Sequence, residues 1–269
     1  MNLFAARVVL RPRSLTEVLD LAAPFCLQNA RLLGRLSLVV LVPVAAAVGG
    51  LRLGLGWSWP GVWAVAVSLA WLAEGVFTAA LGEALFRDPA EVRIGATVGR
   101  FLRRLPAVMV VQVTRLGVMV ACATMVLPVF IEGPRWLFPV EAILLENAPV
   151  GQSIRRSRSL GQRRTGFCLG LAAALLAVPV AAAMLVDLLG GNLLGFVFQL
   201  GQPLGSLFDD GGSGFAVLGL LLAVPLAASM RFLGYIDLRT RSEGWDIQLR
   251  FAAWAERERG PGSPGRWAA

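Results

Sequence analysis

Apolar residues in this chain gather into runs too long for a soluble core. Those centred on 36–56, 58–82, 105–131, 166–189 and 214–235 each approach or exceed the ~20 residues needed to cross a ~30 Å hydrocarbon layer. Polar gaps separate them, and arginine is concentrated in alternate gaps. Counting segments 1–35, 83–104, 147–165 and 236–269 as one side places 21 of the 25 arginines together, the distribution expected of cytoplasmic segments. Arg52 and Arg135 then fall in outer turns, while Arg115 and Arg231 lie within spans. Because 83–104 and 147–165 share a side, 105–146 must cross twice. Its outer turn is expected at Glu132–Arg135, with a short return limb from Trp136 to Glu146. The acidic, arginine-free stretch 190–213 is expected outside, its apolar part forming an interfacial helix or re-entrant loop.

The expected fold is therefore all-α, a polytopic transmembrane helix bundle of about six passes. It divides into a cytoplasmic amphipathic N-terminal helix within 1–35, the bundle at 36–235, and a cytoplasmic amphipathic helix and flexible tail at 236–269. Ser14 and Glu17 have capping-box spacing and open a helix expected to lie on the membrane, with Pro24 as the elbow into the first span. Segments 89–104 and 148–163 have similar polar-helix character, suggesting three repeats of elbow plus hairpin. At 245–257 an apolar arc of Trp245, Ile247, Leu249, Phe251, Ala252 and Trp254 faces away from Asp246, Arg250 and Arg257, as in an interfacial helix.

Composition adds mostly exclusions. The 269 residues are 57% hydrophobic and 16% charged, with a net charge of +8 carried by arginine alone. That charge follows membrane side, so anionic lipid headgroups are the expected partners and nucleic acid is not. Histidine is absent, removing imidazole base catalysis and histidine-ligated metal; no cofactor is expected. Cys26, Cys122 and Cys168 are isolated in or beside apolar segments and read as small core residues. There is no GxxxxGK[ST], no GxSxG and no paired-carboxylate site in a soluble region, and the glycine-rich stretch at 208–215 reads as an outer turn.

Charges inside apolar runs are the costliest residues, each opposing insertion by ~2.5–3.5 kcal/mol near the bilayer centre. Glu74, Arg115 and Glu141 lie at similar depth, roughly 9–15 Å at 1.5 Å per residue. They are expected to form an intramembrane network that neutralises Arg115 and fixes helix register; a proton or ion relay is the alternative. Arg231 is expected to snorkel. The near-identical LLAVPVAAAM at 175–184 and LLAVPLAASM at 221–230 place proline before small residues, which suits close packing or a hinge.

A further group surrounds the arginine-rich end. Leu144, Leu145, Glu146 and Asn147 are followed by Ser153, Arg155, Arg156, Ser157 and Leu160, and the last span leads into Tyr235, Ile236, Asp237, Leu238, Arg239, Thr240, Arg241, Ser242, Glu243, Gly244, Trp245 and Asp246. With the ArgProArgSerLeuThrGluValLeuAsp stretch at 11–20, these motifs resemble the bacterial membrane-domain family related to the membrane part of glycerophosphoryl diester phosphodiesterases. The resemblance covers nearly the whole chain but brings no phosphodiesterase barrel. It implies neighbours that include cytoplasmic ATPases and other small membrane proteins. Read physically, Glu146 and Asp237 are expected to pair with arginines of the other segment, forming a network that stabilises the cytoplasmic face and is compatible with partner docking. The expected function is a non-enzymatic inner-membrane subunit that anchors or assembles a larger envelope or export complex. A permease with a charged gate is the alternative, and an enzyme acting on lipid headgroups ranks third.

Overall fold

A computed structural model describes residues 13–85, 91–123, 126–197 and 204–243, together with positions 89 and 199. Every element is helical: α1 (Leu15–Gln28), α2 (Ala30–Leu53), α3 (Trp59–Ala84), α4 (Ile94–Ala123), α5 (Val126–Arg135), α6 (Pro139–Glu146), α7 (Val150–Arg163), α8 (Thr165–Asn192, extended by a π turn at Leu193–Val197) and α9 (Gly214–Glu243). The five helices α2, α3, α4, α8 and α9 are long and apolar enough to cross a membrane. The chain is an all-α membrane bundle.

Helix α9 lies at the centre and packs on α1, α2, α3 and α8. It and α3 bury most of their length, whereas α2, α4 and α8 expose leucine and valine such as Leu38, Val113, Leu176 and Leu185. Such a surface is costly in water and suited to hydrocarbon. Helices α8 and α9 approach closely where Gly219 meets the carbonyl of Ala182, so that a Cβ on Gly219 would sit 2.4 Å from that oxygen. The Ala-rich end of the first repeated decapeptide thus contributes to a small-residue contact.

The N-terminal capping box forms, with Ser14 Oγ accepting from the Glu17 amide at 3.2 Å and the Glu17 carboxylate from the Ser14 amide at 2.7 Å. Two sequence expectations here need correction. Pro24 does not make the elbow: it lies inside α1, exposed, and the break comes at Asn29, whose side-chain amide donates to the Phe25 carbonyl at 2.9 Å. An exposed proline in a short helix frees one carbonyl toward solvent, so the helix survives it. Helix α1 is amphipathic, with one face against the bundle. It buries Val18, Ala22 and Phe25 and packs along α9, with Phe25 stacked on Phe232 at 6.0 Å. Finally, the first long helix already begins at Ala30, and α9 runs unbroken past residue 235 to Glu243.

The segment 105–146 also differs from expectation. Glu132–Arg135 is the last part of α5 rather than a turn, and the break falls at Trp136–Phe138. Phe138 precedes Pro139, whose ring disfavours helical geometry at the residue before it; its φ of −120° and ψ of 19° leave the helix. Ser157 of α7 closes the gap by donating to the Arg135 carbonyl at 2.7 Å and accepting from the Phe138 amide at 3.1 Å. Gly161 sits against the Pro134 carbonyl, with no room for a Cβ, and Arg158 lies over the Trp136 ring at 5.1 Å. Arg135 therefore belongs with the arginine-rich end that carries α7, not with the opposite end. The apolar residues Leu193–Val197 likewise continue α8 instead of forming a separate interfacial helix.

At the opposite end the described loop residues are held by side-chain contacts. Asp187 accepts from the Ser213 hydroxyl that caps α9, Ser206 donates its amide to Asp210 at 2.9 Å, and Gly212 packs on the Trp59 ring. Trp63 donates to the Gly211 carbonyl at 3.1 Å. Gly205 and Gly211 have φ of +80° and +74°, the left-handed conformation this loop requires.

Candidate functional site

Arg231 holds the buried charges together. Its Nη1 donates to Glu74 Oε2 at 3.0 Å and its Nη2 to Glu141 Oε2 at 3.2 Å, while Nε lies 2.7 Å from Glu141 Oε1. Glu141 is 0% exposed, Arg231 5% and Glu74 8%, so the three charges are withdrawn from solvent. They come from α9, α3 and α6, and one guanidinium fixes the register of three helices.

The expected centre of this network was Arg115, with Arg231 snorkelling to the surface; the structure reverses those roles. Arg231 stands twelve residues before the end of α9 and is enclosed by α3 and α6. Arg115 is half-buried on α4, stacks over the Trp71 ring at 5.4 Å, and makes no ion pair among the described residues. It remains close to the group, however. Arg115, Glu74 and Arg231 all line one cavity of about 180 Å³ whose other walls, from α3, α8, α9 and Leu137 of the α5–α6 break, are largely apolar. Glu74 Oε1 has no donor among the described residues. Pro179, from the repeated decapeptide, lines the same cavity.

One turn beyond Arg231 toward the arginine-rich end is a second network. Glu146, the last residue of α6, accepts from Arg156 Nε at 2.8 Å and from the Tyr235 hydroxyl, and lies 3.4 Å from Arg239 Nη1. Partial burial acts to lower the pKa of Arg156, but hydrogen bonds to Tyr235 and Glu146 and the carboxylate charge outweigh it and raise the value. Asn147 takes the left-handed conformation at the end of α6, φ 55°, and its side-chain oxygen accepts from Arg104 at 2.9 Å. Glu146 thus pairs with an arginine of its own segment and with one in the last turns of α9.

Asp237 does not pair with Arg155 or Arg156. It accepts from Arg241 Nε at 3.1 Å and from the Arg13 amide at 2.6 Å, and Arg241 also donates to the Arg13 carbonyl at 2.7 Å. Asp237 is 3% exposed because α1 covers this stretch of α9, so it anchors the N-terminal segment rather than α7. Ser157 serves backbone bridging, and Arg155 is exposed on α7. Glu243 closes α9, while Trp245, Asp246 and the expected helix 245–257 lie outside the described residues.

Sequence reasoning missed the roles of Arg231 and Arg13 and the pairing of Glu83 with Arg100, whose acid also accepts from Thr97 at 2.8 Å. Among the described residues no cluster of His, Cys, Asp and Glu fits a metal ion. No family model matches the chain, and no curated protein or solved structure matches it.

Proposed function

We propose that this chain is a non-enzymatic integral subunit of the bacterial inner membrane, with both termini cytoplasmic, that anchors or assembles a larger envelope or export complex. The observation supporting this reading is the division of labour along α7. Ser153, Ser157, Leu160 and Gly161 are buried against the bundle, while Arg155, Arg158, Gln162 and Arg163 are exposed on the other side. The acids nearby are already committed to Arg156, Arg231, Arg239 and Arg241. The exposed arginines are thus a surface for anionic headgroups and for acidic faces of partner subunits, a cytoplasmic ATPase among them.

The test is mild purification from the native membrane of the full chain and of an Arg155→Glu, Arg163→Glu variant. The proposal expects one or more proteins to co-purify with the full chain at fixed stoichiometry and to be lost from the charge-reversed variant at unchanged thermal stability. A monomer with no stoichiometric companion would overturn it. The second reading, a permease with an intramembrane charged gate, is favoured by the cavity beside Glu74, Arg115 and Arg231. It predicts solute flux in proteoliposomes that Arg115→Gln abolishes.

A further inference from the structure

The cavity beside Arg231 is polar at one end and apolar along the rest. Glu74, Arg115 and Arg231 form its charged end, and Val67, Pro179 and Leu220 belong to its apolar walls. Along α9, Arg231 is one turn, about 6 Å, from Tyr235 in the arginine-rich network, whereas Leu220 lies eleven residues further toward the other end. The polar end of the cavity is thus the one nearer the arginine-rich end of the bundle, and the apolar part reaches toward the other end. A lipid of the arginine-side leaflet has the same polarity gradient.

The charges restrict the head of such a lipid. Glu74 and Glu141 carry two negative charges, Arg231 and Arg115 two positive ones. The set is neutral as it stands, so a phosphate would add an uncompensated charge below the interface, at a cost of several kcal/mol. Two hydrogen-bonding needs nevertheless remain. Glu74 Oε1 lacks a donor, and Arg115 makes no ion pair among the described residues. A single hydroxyl placed between the two would serve both, donating its proton to the carboxylate and accepting from the guanidinium.

Size agrees with a small head. The cavity of about 180 Å³ equals roughly six water volumes of ~30 Å³, enough for a glycerol-sized group but not for a whole lipid. Trp71 and Leu176, both lining the cavity, are 41% and 69% exposed, so its mouth faces the lipid side between α3 and α8 and leaves acyl chains a way out. We propose that this cavity binds an uncharged, hydroxyl-headed lipid of the diacylglycerol class, held by Glu74 and Arg115. The inference is independent of the anchoring role.

The detergent-purified full chain is titrated with 1,2-dioctanoylglycerol, with its 3-acetylated form, in which the hydroxyl is capped, and with dioctanoyl phosphatidic acid. Bound lipid is counted by native mass spectrometry and paralleled by thermal shift. The expected result is saturable one-to-one binding of dioctanoylglycerol and at least tenfold weaker binding of both others. Arg115→Gln should weaken binding at least tenfold. Ala172→Leu, which fills the cavity without touching a charge, should abolish it, and both variants are compared at equal monodispersity. Equal binding of the capped lipid, preference for phosphatidic acid, absence of saturation, or intact binding in Ala172→Leu would each overturn the proposal.

Discussion

Replacing Arg231 with methionine removes the one cation that touches both Glu74 and Glu141. The side chain that goes is 5% exposed and contacts the two carboxylates at 2.7–3.2 Å, leaving two like charges facing each other across the gap. Breaking one buried pair by removing a partner costs ~3–5 kcal/mol, and the stranded second acid places this variant at the upper end of that range. Arg115→Met is the control. Arg115 loses a cation–π contact worth ~0.5–2 kcal/mol and breaks no ion pair among the described residues. A triple variant, Arg231→Met with Glu74→Gln and Glu141→Gln, removes all three charges and should recover most of the loss, because neutral replacement of a buried ion group is often tolerated. The assay is the folded fraction against denaturant in a fixed detergent, read by tryptophan fluorescence and size exclusion. The reasoning fails if Arg231→Met is no worse than Arg115→Met, or if the triple variant is no better than Arg231→Met.

Glu146→Ala removes the carboxylate shared by Arg156, Arg239 and the Tyr235 hydroxyl and should lower stability by ~2–3 kcal/mol, whereas Asp209→Ala, exposed at the opposite end, should stay within ~0.5 kcal/mol; parallel thermal melts decide. Gly161→Ala forces a Cβ to 2.3 Å from the Pro134 carbonyl and should reduce monodisperse yield, while Gly151→Ala on the same helix meets nothing and should match or exceed the parent. Reporters fused after Arg104, Arg164 and Ala269 should report the cytoplasm and one inserted at Gly212 the outside. An external C-terminus would refute the assigned orientation.

Much of the bundle was legible because apolar length and arginine distribution are strong, additive signals. Glu74 and Glu141 stood out as acids inside apolar sequence. Arg231 was misjudged because the apolar run ends near residue 235, which makes the arginine look terminal. The helix instead runs to Glu243, and Tyr235, Ile236, Asp237, Leu238 and Thr240 are buried under α1 and neighbouring helices. Only tertiary contact reveals that. The 105–146 segment misled for a related reason, since Gly133 and Pro134 look like turn residues yet finish α5 against Gly161. Ser157, which bridges the true break, carries no local signal for that job.

Helix length has a further consequence at the other end of the molecule. Thr165–Phe196 is 32 residues, about 48 Å at 1.5 Å per residue, against a hydrocarbon thickness of ~30 Å. The average ~20° tilt shortens its span by only a few ångströms. Helix α9 is also long, but its surplus end is polar and wrapped by α1; the surplus of α8 carries exposed Leu188, Leu189, Leu193 and Phe196. Among the described residues, α8 therefore carries an apolar excess over the hydrocarbon thickness. A bilayer meets such a mismatch by thickening locally or by tilting the helix, and any tilt of α8 bears on its close contact with α9 at Gly219.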